Sequence, residues 1–319
     1  MQIGTLRLKN PIILAPMAGI TDLPYRLVMK QHGAALVFTE MISANGLFFN
    51  GAATRELLRS VPAERPLAVQ LFGDDPERLG RAAAEVEAVA DLIDINLGCP
   101  VKKVIRCGAG SALLQQPRKI GQIVAAVRRT TSRPLTVKLR SGWDATSINY
   151  LEVARIAVAE GVDALTLHPR TRTQMFAGRS DWAQIADLKA AIKVPVIASG
   201  DIFQAEDTIT LFDTTGCDAV MVARGGYGNP WLISQSLALL AGRQPVEPTV
   251  AERFAVASEH FDLCLETFGP RKTLGLMRKH LCWYTRGMAG AAVFRAAINQ
   301  SDSLAAMRGL LESYFADAV

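Results

Sequence analysis

Three things are missing from this sequence, and each narrows what it can be. Its five cysteines, Cys99, Cys107, Cys217, Cys264 and Cys282, are irregularly spaced and include no Cys-x-x-Cys pair. That argues against a zinc framework or a disulfide scaffold and suits thiols in a reducing compartment. No apolar run is long enough to span a bilayer, and Met1-Gln2-Ile3-Gly4-Thr5 lacks the basic-then-apolar pattern of a secretory signal. A cytoplasmic protein with no membrane partner is expected. The first β-rich run leads into Ala15-Pro16-Met17-Ala18-Gly19, which does not fit the Gly-rich fingerprint of an open dinucleotide-binding sheet.

What is present is a chain of 319 residues, 50% apolar and 20% charged, with a formal net charge of +5. The length fits one large α/β barrel with an appended domain. The basic excess suits a polyanionic partner, and it is also common in small-molecule enzymes. Up to about residue 240, short apolar β-rich runs alternate with stretches of helical periodicity. Eight strands are expected at 12–18, 36–41, 67–73, 92–98, 135–140, 164–169, 195–201 and 219–224. Helices are expected at 76–90, 117–131, 148–160, 181–191, 205–215 and 230–241. Eight such units predict a closed (β/α)8 TIM barrel, with a doubly wound open sheet as runner-up. The prolines of Arg243-Gln244-Pro245-Val246-Glu247-Pro248 mark a linker. Beyond it only helices are expected: from an N-cap at Thr249 to about 268, then 271–285, 291–299 and 303–315. The organisation is therefore 1–243 as the barrel and 244–319 as a small all-α helical bundle.

Barrel chemistry sits at the C-terminal ends of the strands, and there these apolar strands carry polar residues: Glu40, Gln70, Asp94, Asn96, Lys138, Arg140, His168, Ser199, Asp201 and Arg224. Burying so many without partners is costly, so a polar ligand is implied. Ser199-Gly200-Asp201 and Ala223-Arg224-Gly225-Gly226 follow strands 7 and 8, where barrels hold phosphates, and Arg224 suits a phosphate clamp. Gln70 and Lys138 fit a flavin ring, the amide at its pyrimidine edge and the ammonium near the charge of the reduced form. Lys138 equally suits a Schiff base. Cys99, lifted out by Gly98 and Pro100, suits a general acid; a small buried hydrophobe is the ordinary alternative.

Several blocks resemble the tRNA-dihydrouridine synthase family. They are Pro16-Met17-Ala18-Gly19-Ile20-Thr21-Asp22, Glu40-Met41, Asp94-Ile95-Asn96-Leu97-Gly98-Cys99-Pro100 with Lys102-Lys103-Val104, and Ala109-Gly110-Ser111-Ala112-Leu113-Leu114. Lys138-Leu139-Arg140-Ser141-Gly142-Trp143, His168-Pro169-Arg170-Thr171-Arg172 and Arg278-Lys279-His280-Leu281-Cys282-Trp283-Tyr284 continue the match, the last resembling the bacterial B-type branch. The resemblance implies a non-covalent FMN reduced by NADPH, a hydride passed to C6 of a tRNA uridine, and protonation of C5 by Cys99. By position, Pro16, Met17 and Ala18 would line the flavin, and Gln70, Lys138 and His168 would touch its ring or ribityl chain. Ser199, Gly200, Asp201, Ala223 and Arg224 would hold its phosphate end. Asn96 and Arg140 would hold the uracil. Ser199, Ala223 and Pro169 depart from the family's usual Asn and glycines.

A base stacked within RNA must be extruded to reach a barrel floor, and the rest of the tRNA then needs a basic platform. Between Pro270 and Ser301 there is no acidic residue, while Arg271, Lys272, Arg278 and Lys279 lie there. Lys102 and Lys103 would add a basic lid after Cys99. No obligate protein partner is expected, and the chain should act as a monomer. The rival readings are a flavin barrel acting on a free pyrimidine, a non-catalytic RNA-binding barrel and a Lys138 aldolase.

Overall fold

The computed structural model describes residues 1–317; the last two residues of the expected helical range lie outside the described residues. Eight parallel strands form the barrel: β1 (Ile12–Leu14), β2 (Val37–Phe38), β3 (Leu67–Phe72), β4 (Leu92–Leu97), β5 (Leu135–Arg140), β6 (Ala164–His168), β7 (Val196–Ser199) and β8 (Ala219–Val222). Neighbours in sequence are neighbours in the sheet, and β8 pairs with β1. Closure between β1 and β2 is made by Leu14 N–H donating to Leu36 O and Ala35 N–H donating to Ile12 O, both 2.9 Å. The expected (β/α)8 architecture is therefore the observed one, with shorter strands. β1 stops at Leu14 because Pro16 cannot continue a ladder.

Alternation along each strand divides two cores. Outward residues such as Ile93, Ile95, Val137 and Leu139 pack under the surrounding helices. Inward residues at the N-terminal end, among them Ile13, Leu36, Ala68, Leu92 and Met221, form an apolar floor. The hairpin Gln2–Ile3 and Leu6–Arg7 plugs that floor with Ile3. The polar residues lie above it, towards the strand C-termini.

The helix Leu23–Gln31 after β1 was not foreseen from the sequence. Asp22 caps it by accepting from Tyr25 N–H at 3.1 Å, and Pro24 stands in its first turn. Its Arg26 is wholly buried against Glu64, with Nη2 at 3.0 Å from Oε1, and also donates to Thr21 O and Arg59 O. The pair ties the loop after β1 to the segment before β3.

After the last barrel helix, Trp231–Leu240, the chain enters the helices Val250–Tyr284, Ala291–Gln300 and Leu304–Ala316, which share a core of their own. Thr249 and Glu252 cap each other's backbone at the entry. The long helix is kinked at Gly269, whose φ of +73° is a left-handed conformation suited to glycine, just before Pro270. Among the described residues no helix is long and apolar enough to cross a membrane.

Removing one partner of a buried ion pair leaves the other charge uncompensated. Glu64→Gln is expected to lower unfolding stability by about 3 kcal/mol, read as a shifted urea midpoint; an unchanged midpoint would show that the pair contributes nothing.

Candidate active site

The site is built from the register of β3 to β6. Gln70 pairs with Asp94, Asn96 with Lys138, Lys138 with Thr166, and Arg140 with His168. Residues sharing these levels turn inward together. Asp94 is wholly buried and accepts from Gln70 Nε2 at 2.7 Å and Thr136 Oγ1 at 2.6 Å. Gln70 Oε1 accepts from Asn96 Nδ2 at 2.7 Å, and that nitrogen also reaches Met41 Sδ at 3.1 Å. Asn96 Oδ1 accepts the N–H groups of Gly98 and Cys99 at 3.1 and 2.9 Å. One unbroken hydrogen-bonded chain thus runs from the barrel interior to the cysteine loop. Ser111 closes the loop from the other side, its hydroxyl donating to Cys99 O at 2.9 Å.

Above this chain opens a cavity of about 330 Å³. Pro16, Met17, Ala18, Gln70, Asn96, Cys99, Lys138, Arg140, His168, Ser199, Gly200, Asp201, Ala223 and Arg224 all line it. Every residue expected at the cofactor, together with the cysteine and the two expected uracil contacts, is therefore brought to one place.

At one end, Gly200 has φ +112°, and a Cβ there would fall on Ser180 Oγ and crowd His168. Asp201 follows at φ +56°. Its carboxylate takes both nitrogens of Arg170, at 2.9 and 2.7 Å, and Ser180 N–H at 2.8 Å. Arg224 Nη2 lies 3.4 Å from Asp201, and the rings of Phe176 and Phe203 stand 4.6 and 5.5 Å from its guanidinium carbon. Arg170 is buried and was missed by sequence reasoning. Its signal was its place two residues after His168, where a charge at a strand end needs a partner.

The electrostatics are those of a cationic pocket. Burial, then the neighbouring Lys138, Arg140, Arg170 and Arg224, hold the His168 imidazole well below its usual pKa, so it is neutral at pH 7. Burial lowers Lys138 to about 8, with Arg140 acting the same way and Asp94 and Cys99 opposing. Burial pushes the Cys99 thiol up, against a backbone hydrogen bond and the charges of Arg140 and Lys138. At neutral pH it carries its proton. Asp94 is raised by burial to about 7, opposed by Thr136, Gln70 and Lys138.

Arg140 lines the cavity and is also a structural tie. Its Nε donates to Gly98 O at 2.9 Å and its Nη1 to Thr171 O and Met175 O at 2.9 and 2.8 Å, which ties the Cys99 loop to the loop after β6. Lys102 and Lys103 are exposed on a five-residue helix, Lys102–Arg106, which Val104 packs against Cys99 and Ala109. The four cations of the kinked helix are not one surface. Arg271 and Lys272 are exposed, with Lys272 over the Phe268 ring at 3.7 Å. Arg278 is half-buried and donates to Ser301 O at 2.7 Å, and Lys279 donates to Gly19 O.

A closed parallel barrel with a buried polar chain leading to a protonated cysteine, under a cationic cavity at the strand C-termini, defines a barrel enzyme. Comparison with known proteins narrows the class. The profile of the family described as "Dihydrouridine synthase (Dus)" matches residues 13–318, and the chain belongs to that family. It is 42% identical to "tRNA-dihydrouridine synthase B" of Pasteurella multocida, over 94% of this chain and 91% of that protein. It is 38% identical to the protein of the same name in Xanthomonas campestris pv. campestris, over 99% and 96%. "Probable tRNA-dihydrouridine synthase" of Rhodobacter capsulatus is 38% identical over 99% and 98%. Among solved structures, the old yellow enzyme homologue of Zymomonas mobilis shares the barrel fold, with a TM-score of 0.56 at 13% identity over 79% of this chain and 94% of that one.

The raised pKa of Asp94 has a sign that can be tested. The folded state keeps a proton that the unfolded chain releases above pH about 4, so this stabilisation is complete below that pH and is lost as pH rises through about 7. The loss is at most about 1.4 kcal/mol per pH unit. Asp94→Asn removes it. In thermal melts the melting temperature of the variant relative to wild type should rise between pH 5 and pH 8; parallel profiles would contradict the assignment.

Proposed function

We propose that this chain is an FMN-dependent tRNA-dihydrouridine synthase. It reduces the C5–C6 double bond of specific D-loop uridines to 5,6-dihydrouridine, with NADPH as reductant. The observation that carries the reading is the protonated, buried Cys99 in the wall of a cationic cavity in a chain of this family. Residues 1–243 serve as the catalytic unit and residues 244–319 as the tRNA-binding domain of a cytoplasmic monomer.

The donors present suit FMN. The cavity volume lies in the range of sites for ligands of that size. Arg224 is about one-third exposed and has only a long contact to Asp201. The short 3₁₀ turn Arg224–Gly226 begins at the cavity wall, where the first N–H groups lack intrahelical partners. Arg224 and these N–H groups would hold the phosphate. Asp201, an anion, does not face it as a ligand; it fixes Arg170 and Arg224. Lys138 balances negative charge at the ring, and Gln70 offers the second hydrogen of its Nε2, the first being held by Asp94. When bound and reduced, FMN supplies the hydride that forms the C6–H bond.

The chain supplies the rest. Cys99 Sγ holds the proton that C5 would receive. The resulting thiolate lies in the field of Arg140 and Lys138 and regains a proton from solvent. Asn96 lines the cavity beside Cys99 and keeps it in place, its amide being taken up by Gln70, Met41 and the N–H groups of Gly98 and Cys99. Exposed Arg271 and Lys272, with Lys102 and Lys103, meet tRNA phosphates.

Purified protein is expected to be yellow. Cys99→Ala should keep its flavin yet lose at least about 100-fold in uridine reduction, the scale of a general acid; wild-type turnover would remove the proton-donor role. Arg271→Ala with Lys272→Ala is expected to weaken tRNA binding and to lower the slope of log affinity against log salt by about 1–2. An unchanged slope would take the tRNA platform away from these two residues.

A further inference from the structure

The turn Arg224–Gly226 is held from outside the cavity. Tyr25, on the helix after β1, donates its hydroxyl to Gly226 O at 2.8 Å. The next residue, Tyr227, lines the cavity, and its ring lies flat on Trp283 of the kinked helix, with centroids 4.3 Å apart and planes 13° from parallel. Gly228, at φ +63°, fits against the Trp283 carbonyl and Tyr284 N–H so closely that a Cβ would collide with both. The Tyr25 ring is itself walled by two imidazoles of that helix, His280 at 5.5 Å and His260 at 5.9 Å. Both imidazoles are wholly buried. Neither His280 nitrogen has a hydrogen-bond partner; His260 Nδ1 meets Tyr284 Oη at 3.1 Å, and its Nε2 has none. These rings serve as packing surfaces whose visible product is the fixed orientation of Tyr25.

We propose that Tyr25 and Trp283 are positioning residues for the phosphate end of the cofactor, through which the helical part of the chain fixes the turn that meets the phosphate. This rests on the FMN reading above. Tyr25 sets the direction of the last peptide of the turn. Trp283 sets the plane of the residue after it. Between them the backbone N–H groups and Arg224 are aimed before any ligand arrives, so ligand binding does not bear the cost of ordering them. Neither side chain lines the cavity beside the flavin ring, so the effect is specific to the phosphate.

The test is binding by the full chain stripped of flavin, titrated separately with FMN and with riboflavin, which lacks the phosphate. Wild type should bind FMN more tightly. Tyr25→Phe, which deletes one hydroxyl, should weaken FMN about 2- to 10-fold and leave riboflavin unchanged. Trp283→Leu should act in the same direction, and should it fail to fold by circular dichroism, Tyr25→Phe decides. Equal weakening of both ligands, or unchanged FMN affinity in Tyr25→Phe, would overturn the positioning role. A wild-type chain that binds both ligands alike, or neither, would instead remove the phosphate reading on which the inference stands.

Discussion

The site hangs on the side chain of Asn96. A largely buried amide is costly to leave unpaired, so both of its ends need partners fixed in the fold. Asn96 does so in opposite directions: its nitrogen faces Gln70 and Met41, and its oxygen takes the N–H groups of Gly98 and Cys99. The cysteine loop is thereby referenced to the interior rather than to the surface. Gln70 and Asp94 continue the reference to Thr136 on the next strand, so the position of the thiol is fixed by the register of β3, β4 and β5. A loop residue gains the precision of a sheet in this way.

Charge is arranged to match. Lys138, Arg140 and Arg224 line one cavity and Arg170 stands behind its wall beside His168, with Asp201 taking Arg170 in both its oxygens. Four cations around one space are tolerable only because each is tied to a carbonyl, a carboxylate or an aromatic face, or loses part of its basicity, as Lys138 does. The remaining positive potential favours whatever anion enters, and it keeps His168 neutral and able to accept as well as donate.

Much of this was legible in the sequence, for identifiable reasons. Parallel strands covered on both faces read as apolar runs, so the polar residues that interrupt them stood out, and all of those assigned to the cofactor or to catalysis line one cavity. The linker prolines and Thr249 announced the helical part, whose expected break between 268 and 271 is a kink at Gly269 within one helix. What escaped was whatever depends on partners distant in sequence. The helix Leu23–Gln31 hides in a block whose proline and arginine look like loop until Glu64 is seen to neutralise Arg26. Asp94 resembles any strand polar residue until its two donors are counted. Arg278 and Lys279 look like surface cations, yet one closes the end of a neighbouring helix and the other grips Gly19. Periodicity reports which face a residue shares; it does not report what that face meets.

The helical part is consequently not a detachable RNA handle. Lys279 holds the loop after β1, Trp283 covers Tyr227, and His260 and His280 wall Tyr25. Removing residues 246–319 would uncover Tyr25 and free the turn that carries Arg224, so loss of activity on a free uridine after such a deletion would not distinguish a tRNA enzyme from a small-molecule one. The distinction lies in single side chains. Arg271 and Lys272 face solvent and touch none of the cavity, whereas buried Tyr25 and half-buried Trp283 pack against the turn and the residue that form part of its wall. Under the proposed function, substitutions in the first pair address the nucleic acid and those in the second address the cofactor, within one intact fold.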